Sequence, residues 1–350
     1  MRTAAIAALM LAAAVSAGAY VHEYNSAFVA VSRRDYTGIQ FHLSPSVQPG
    51  LMNSAGQLVI VPGSDPRAAI QAALDTWSAV PGTSARFLPL KVDNVPVGSG
   101  DGIDAFSFDD TPAARSVLGD AVAVTTITSY LDGKIVDTDI LFNPAYTFAS
   151  ELSPGAFDLQ QIATHELGHA LGTGHYGLPT CVMYPASAPG DLSRRALSAD
   201  DVAFVTGAYP APGVMARLGS ISGSLLSSTG PVPQAEVIAI DPTTGVAVGS
   251  LSNRDGGFQL WPLPTGNYYV YTQPIDQTAR LVDPAMAEGA GNFDWQPAFF
   301  GPPDDPAPVT VTPGASASAG ITLDLAPAVS QICFATPSVT TQMVACSGCQ

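Results

Sequence analysis

The chain has 350 residues, 47% of them apolar and only 12% charged, which is material for two domains rather than one. The charge is lopsided, with 13 Lys and Arg against 29 Asp and Glu and a formal balance of −16. That balance argues against nucleic acid or an anionic membrane as partner, because both select basic patches.

Residues 1–19 read as an export signal. Arg2 supplies a positive start, Ala4 to Val15 form an apolar run, and Ala17-Gly18-Ala19 offers small residues for cleavage. The apolar run is too short to span a bilayer comfortably, and no later stretch is long enough. The expectation is a secreted, extracellular mature chain with no membrane partner. Four cysteines (Cys181, Cys333, Cys346 and Cys349) fit an oxidising compartment, where three pairings are possible.

In chain order, Thr37 to Leu43 alternates as a strand. Asp65-Pro66 followed by Ala68, Ile70, Ala73, Leu74 and Trp77 predicts a capped amphipathic helix. Ala85 to Leu90 and Ile103 to Phe108 read as extended. Ala121 to Tyr130 and Lys134 to Phe142 form a hairpin pattern around Asp132-Gly133. Asp158 to Leu171 has helical spacing. Ser198, with Asp200 and Asp201 behind it, starts another helix whose inner stripe is Val202, Val205 and Tyr209. Tyr209-Pro210-Ala211-Pro212-Gly213 has the composition of a linker, which places one at residues 211–215. Beyond them come short β-runs (Ala235 to Ile240, Val246 to Leu251, Phe258 to Leu260, Tyr268 to Tyr271, Ile321 to Leu325) separated by turn residues, with no helix of useful length. The expected class is α+β, a mixed sheet with helices over residues 20–210, followed by an all-β antiparallel sandwich over 216–327. A Cys-containing tail occupies 328–350.

The chemistry concentrates in His165-Glu166-Leu167-Gly168-His169-Ala170-Leu171-Gly172-Thr173-Gly174-His175. On a helix, His165 and His169 share one face and can present two imidazoles to one metal ion. Glu166 sits beside them as a candidate general base. Gly172 can adopt the left-handed conformation that ends a helix, bringing His175 round as a third ligand. Three neutral imidazoles leave one zinc position open for water, which suits a catalytic site rather than a closed structural one.

HExxHxxGxxH resembles the zinc signature of the metzincin metalloproteases. In that family a methionine lies in a tight turn beneath the metal, and Cys181-Val182-Met183-Tyr184-Pro185 supplies one, similar to the matrixin branch. The helix at Asp65, the segments Gly102-Ile103-Asp104-Ala105-Phe106 and Asp139-Ile140-Leu141-Phe142-Asn143, and Leu197-Ser198-Ala199-Asp200-Asp201 resemble bacterial matrixin-type segments. The resemblance implies a metzincin-like catalytic domain and a zinc endopeptidase that acts on protein or peptide substrates. Its substrate would lie along an edge strand, here Ala121 to Ile127. Residues 216–327 resemble a carboxypeptidase regulatory-like sandwich, carried by Gly223, Pro233 to Val237, Asp255 to Phe258 and Leu263 to Tyr268.

Other residues carry weaker expectations. Only His22 and His42 remain for the structural zinc that vertebrate matrixins add, so no second site of that type is expected. Calcium stays open, with Asp101, Asp104, Asp109 and Asp110 as candidate ligands, although a solvated acidic loop is the plainer reading. Glu236 and Glu288 are the only glutamates after Glu166, and both fall in the β-rich region rather than on a helix that could supply a glutamate ligand. Tyr184 adjoins Met183 too closely to be a metal-linked tyrosine. Phe293, Trp295, Phe299 and Phe300 read as packing before they read as a binding patch. The expected state is a monomer. The rival class is a non-catalytic surface or matrix binding protein whose sandwich does the work.

Overall fold

A computed structural model describes residues 21–98, 100–283, 286, 295–302 and 305–323. The export signal, Glu288, Phe293, Cys333, Cys346, Cys349 and the tail lie outside the described residues.

The first module runs β1 (Ser32–Arg33), β2 (His42–Leu43), α1 (Pro66–Ser78), β3 (Lys91–Val92), β4 (Ala105–Ser107), α2 (Pro112–Leu118), β5 (Ala123–Ser129), β6 (Lys134–Phe142), β7 (Phe148–Ala149), β8 (Phe157–Asp158), α3 (Leu159–Leu171) and α4 (Ala199–Ala208). Its sheet has the order β1-β6-β4-β2-β3, all parallel, while β5 runs antiparallel along β6 and forms the outer edge. Helix α1 begins where Asp65 accepts the Ala68 amide at 3.0 Å with Pro66 in the first turn. Such a cap stabilises a helix by about 1 kcal/mol. The stripe Ile70, Ala73, Leu74 and Trp77 is buried, and Trp77 Nε1 donates to the Thr164 carbonyl at 2.8 Å, tying α1 to α3.

Two expectations need correction here. The Thr37 to Leu43 strand shrinks to His42–Leu43 plus an isolated bridge from Ile39 to Phe87, because neighbouring β3 offers only two residues to pair. Helix α2 was not anticipated, although Thr111 caps it by accepting the Ala114 amide and Pro112 opens it, the same device as in α1.

The second module follows a 3₁₀ turn at Met215–Arg217. It comprises β9 (Leu218–Ser227), β10 (Gly230–Pro231), β11 (Ala235–Ile240), β12 (Ala247–Leu251), β13 (Gly257–Pro264), β14 (Gly266–Pro274), α5 (Gln277–Val282), β15 (Ala298–Phe299), β16 (Val309–Val311), β17 (Ser316–Ser318) and β18 (Ile321–Leu323). One five-stranded sheet is built on β9, with β10 and β13 antiparallel and β17 and β18 parallel to it. The other, β12-β11-β14-β15 with β16 also on β14, is antiparallel throughout. Ile221, Leu225 and Leu260 from the first sheet share one apolar cluster with Val237, Ala239 and Val270 from the second. The parallel pairs of β17 and β18 with β9 depart from the antiparallel expectation, and the one helix, α5, is only six residues long. Asp276 makes α5 possible by capping the amides of Thr278 and Ala279 at 2.8 and 3.1 Å.

The modules meet over α4. Its residues Phe204 and Val205 belong to the first module's core, whereas Ala203 belongs to the second's. Val202, expected innermost, is only half-buried. No helix among the described residues is long and apolar enough to cross a membrane.

Candidate metal centre

Asp158 caps α3 by accepting the Gln161 amide at 2.7 Å, and Arg195 holds that carboxylate with two bonds of 2.9 and 2.5 Å. The helix ends at Gly172, which has φ 97° in the left-handed region. A side chain there would be strained by conformation and would also collide with the Val31 carbonyl, so the residue must be glycine on two counts.

That turn brings His175 back against the helix. The ring centroids of His165, His169 and His175 lie 4.9, 5.3 and 4.8 Å apart in pairs. One ligand atom from each falls within 4.8 Å of the others. Among the described residues this is the only such group of three or more donors. Every Nδ1 faces an oxygen: His165 the Val182 carbonyl at 2.7 Å, His169 the Thr173 carbonyl at 2.9 Å, His175 the Asp283 carboxylate at 2.7 Å. These acceptors fix the tautomer with the proton on Nδ1 and leave each Nε2 lone pair for a metal. The His165 and His169 Nε2 atoms are 3.2 Å apart. Two nitrogens bound at about 2.0–2.1 Å to one tetrahedral ion would sit about 3.3 Å apart, so the donor set fits zinc. Burial holds His165 well below its ordinary pKa, which favours the neutral ligand form.

Met183 is fully buried under this helix, and any Cβ on Gly168 would strike its sulfur. Asp201 accepts the Val182 and Met183 amides at 3.0 and 3.4 Å while also capping α4 through Ser198. The methionine turn thereby sets the Val182 carbonyl that orients His165.

Glu166 is 5% exposed, and its Oε2 accepts a hydrogen bond of 2.6 Å from Thr125 on β5. Burial pushes its pKa up, with His169 and the Thr125 bond pulling the other way. The site opens into a cleft of about 940 Å³ walled by β5, by Tyr184 and Pro185 after the methionine, and by Val282 of the second module. Strand β5 is half-buried along its whole length, and its free edge offers backbone groups to an extended peptide.

The remaining sequence candidates fall elsewhere. Asp104 pairs with Arg33 at 2.7 Å and Asp110 with Arg115 at 2.6 Å. Asp101 and Asp109 accept local amides at Ile103 and Thr111, and among the described residues no three of these acids come close enough together to share an ion. His42 pairs with Asp93, and His22 lies edge-on to Phe204. Cys181 is buried and unpaired, its thiol pushed up by burial. Tyr184 donates to Asp276 rather than facing the imidazoles. Trp295 is buried in the second core and Phe299 lies against Tyr271. Sequence reasoning missed Thr125, Glu23 (3.5 Å from His169 Nδ1) and Asp283. None carries a motif. Each reaches the site through tertiary structure.

Comparison with known proteins agrees with this geometry. The matrixin family model matches residues 52–210. Residues 52–210 are thus similar to a matrixin domain. Human matrilysin is 49% identical over 47 residues, covering 13% of this chain and 18% of that protein. Arabidopsis thaliana metalloendoproteinase 1-MMP is 44% identical over 69 residues (20% and 18%). Rattus norvegicus macrophage metalloelastase is 29% identical over 142 residues (41% and 28%). The chain thus spans less than a third of the length of these matrixin relatives.

Proposed function

We propose that the protein is a secreted zinc endopeptidase, with His165, His169 and His175 as ligands and Glu166 as general base. The observation that carries the reading is the three Nδ1-anchored imidazoles converging beside a buried glutamate at the edge of an open β-strand. Zinc held this way supplies a Lewis acid and acidifies a water towards neutrality. A protein or peptide substrate lies extended along β5. With Oε2 held by Thr125, Glu166 Oε1 takes the proton of the attacking water and hands it to the amine nitrogen as the C–N bond breaks. Met183 and Gly172 act structurally, as floor and bend. Residues 1–19 are a cleaved signal, residues 20–210 the catalytic domain, residues 211–215 the linker and residues 216–327 a regulatory-like sandwich.

The test is cleavage of casein or gelatin by the purified chain, with and without a chelator, beside Glu166→Ala. Activity should vanish with chelation and return with zinc. The variant should keep one zinc and lose about a thousandfold in rate, within the range a general base supplies. A fully active Glu166→Ala, or a wild-type chain that binds no zinc, would overturn the assignment.

A further inference from the structure

We propose that the second module completes the metal centre, with Asp283 as the positioning residue for His175. The inference rests on the zinc reading above. The Nδ1 atoms of His165 and His169 are held from within their own module, by the carbonyls of Val182 and Thr173, with the Glu23 carboxylate of that module a further 3.5 Å neighbour of His169. His175 stands on the loop after α3 instead, and its Nδ1 is 2.7 Å from a carboxylate 108 residues away, across the module boundary. A carboxylate accepting from a ligand imidazole fixes the ring's orientation and raises its basicity more than a carbonyl does.

The carboxylate is itself held in place. Asp283 closes α5, its amide bonded to the Ala279 carbonyl at 2.8 Å. At the other end of α5, Asp276 accepts the Tyr184 hydroxyl at 2.5 Å. Ile275, Ala279 and Met286 pack with Tyr184 in a small apolar cluster of their own. The helix is therefore clamped to the residue that follows Met183, and its last residue, Val282, lines the cleft. One six-residue helix joins the methionine turn, the third imidazole and the substrate cleft.

The experiment uses the full chain with Asp283→Ala and Asp283→Asn. Zinc affinity is read by competition with a chromogenic chelator, ligand geometry by the visible spectrum of the cobalt-substituted protein, and folding by the melt of the zinc-free protein. Asp283→Ala should bind zinc about 10–100-fold more weakly, as loss of an outer-shell partner does, with an altered cobalt spectrum and an unchanged zinc-free melt. Asp283→Asn keeps an acceptor but not the charge, so it should fall between. Its near-identical shape keeps the test decisive if the alanine variant does not fold. Unchanged zinc affinity and cobalt spectrum in both variants would overturn the proposal. So would a weakening matched by an equal loss of zinc-free stability, since that marks a contact that only fastens the modules. His175→Ala separates the two readings. If it releases zinc while the Asp283 variants hold it, only this proposal fails, and if wild type binds none, the zinc reading fails first.

Discussion

Glu236 offers a quantitative test of how the modules are joined. This glutamate on β11 is 2% exposed, its Oε2 accepts from Gln273 Nε2 at 2.8 Å, and its other oxygen lies against Gly177, two residues past His175. Burial raises its pKa from 4.5 to about 7, with the Gln273 bond opposing and Asp276 adding to the rise. Between those values the folded chain keeps a proton that the unfolded chain has released. Stability tied to protonated Glu236 is therefore complete below pH 4.5 and is lost as pH rises through 7. A displacement of that size corresponds to about 3 kcal/mol. Glu236→Gln retains the shape and an oxygen for Gln273 but cannot ionise. Urea unfolding of both proteins at pH 4 and pH 8 should give similar stability at the lower pH and a variant more stable by about 3 kcal/mol at the higher. Other buried acids, such as Asp139 with its pKa raised to about 7 by burial and by Asp137, contribute equally to both proteins and cancel. If the difference between the two proteins does not change with pH, Glu236 is not a buried ionisable group at the junction.

Two further outcomes bear on the metal centre. Gly168→Ala should lower stability by about 1–2 kcal/mol, because overpacking against Met183 and Trp77 outweighs about 1 kcal/mol of helix propensity gained. The deficit should shrink when Met183→Ala is combined with it, and simple additivity in that double-mutant cycle would refute the contact. Thr125→Val removes a bond that favours ionised Glu166, so the acid limb of the kcat/KM profile should move to higher pH by about one to two units, the worth of a hydrogen bond to a charged group. An unmoved limb would detach Thr125 from the base.

What the sequence made legible was local. His165, Glu166, His169, Gly172 and His175 lie within one helix and its exit turn, so spacing and one glycine specify their relation. Helix starts at Asp65, Asp158 and Ser198 were readable because each cap is made within three residues. The Asp132-Gly133 turn marked the hairpin because it too is short-range. Thr125 lies 41 residues from Glu166 and Asp283 lies 108 from His175. No periodicity encodes such distances. They follow from β5 taking the sheet edge and α5 folding back over the methionine turn. Helix α2 is a different case, since its signal is local too: Thr111 caps it and Pro112 opens it, directly after Asp109 and Asp110.

The boundary at residue 210 is sharp in composition, but the energetics cross it. Helix α4 contributes Phe204 to one core and Ala203 to the other, so neither module buries its apolar surface alone. Asp200, 2% exposed, accepts the Gly249 amide of β12 at 2.7 Å and faces the Cys181 thiol. Desolvation raises its pKa well above the ordinary value, so it is stable there largely through hydrogen bonds from both sides of the boundary. Asp201, its neighbour in sequence, turns the other way and holds the Val182 and Met183 amides. Two consecutive aspartates thus fasten one module to the methionine turn and the other module to both. A change at the far side of β12 has a short covalent and hydrogen-bonded path to the floor of the metal centre, through Gly249, Asp200, Asp201 and Met183.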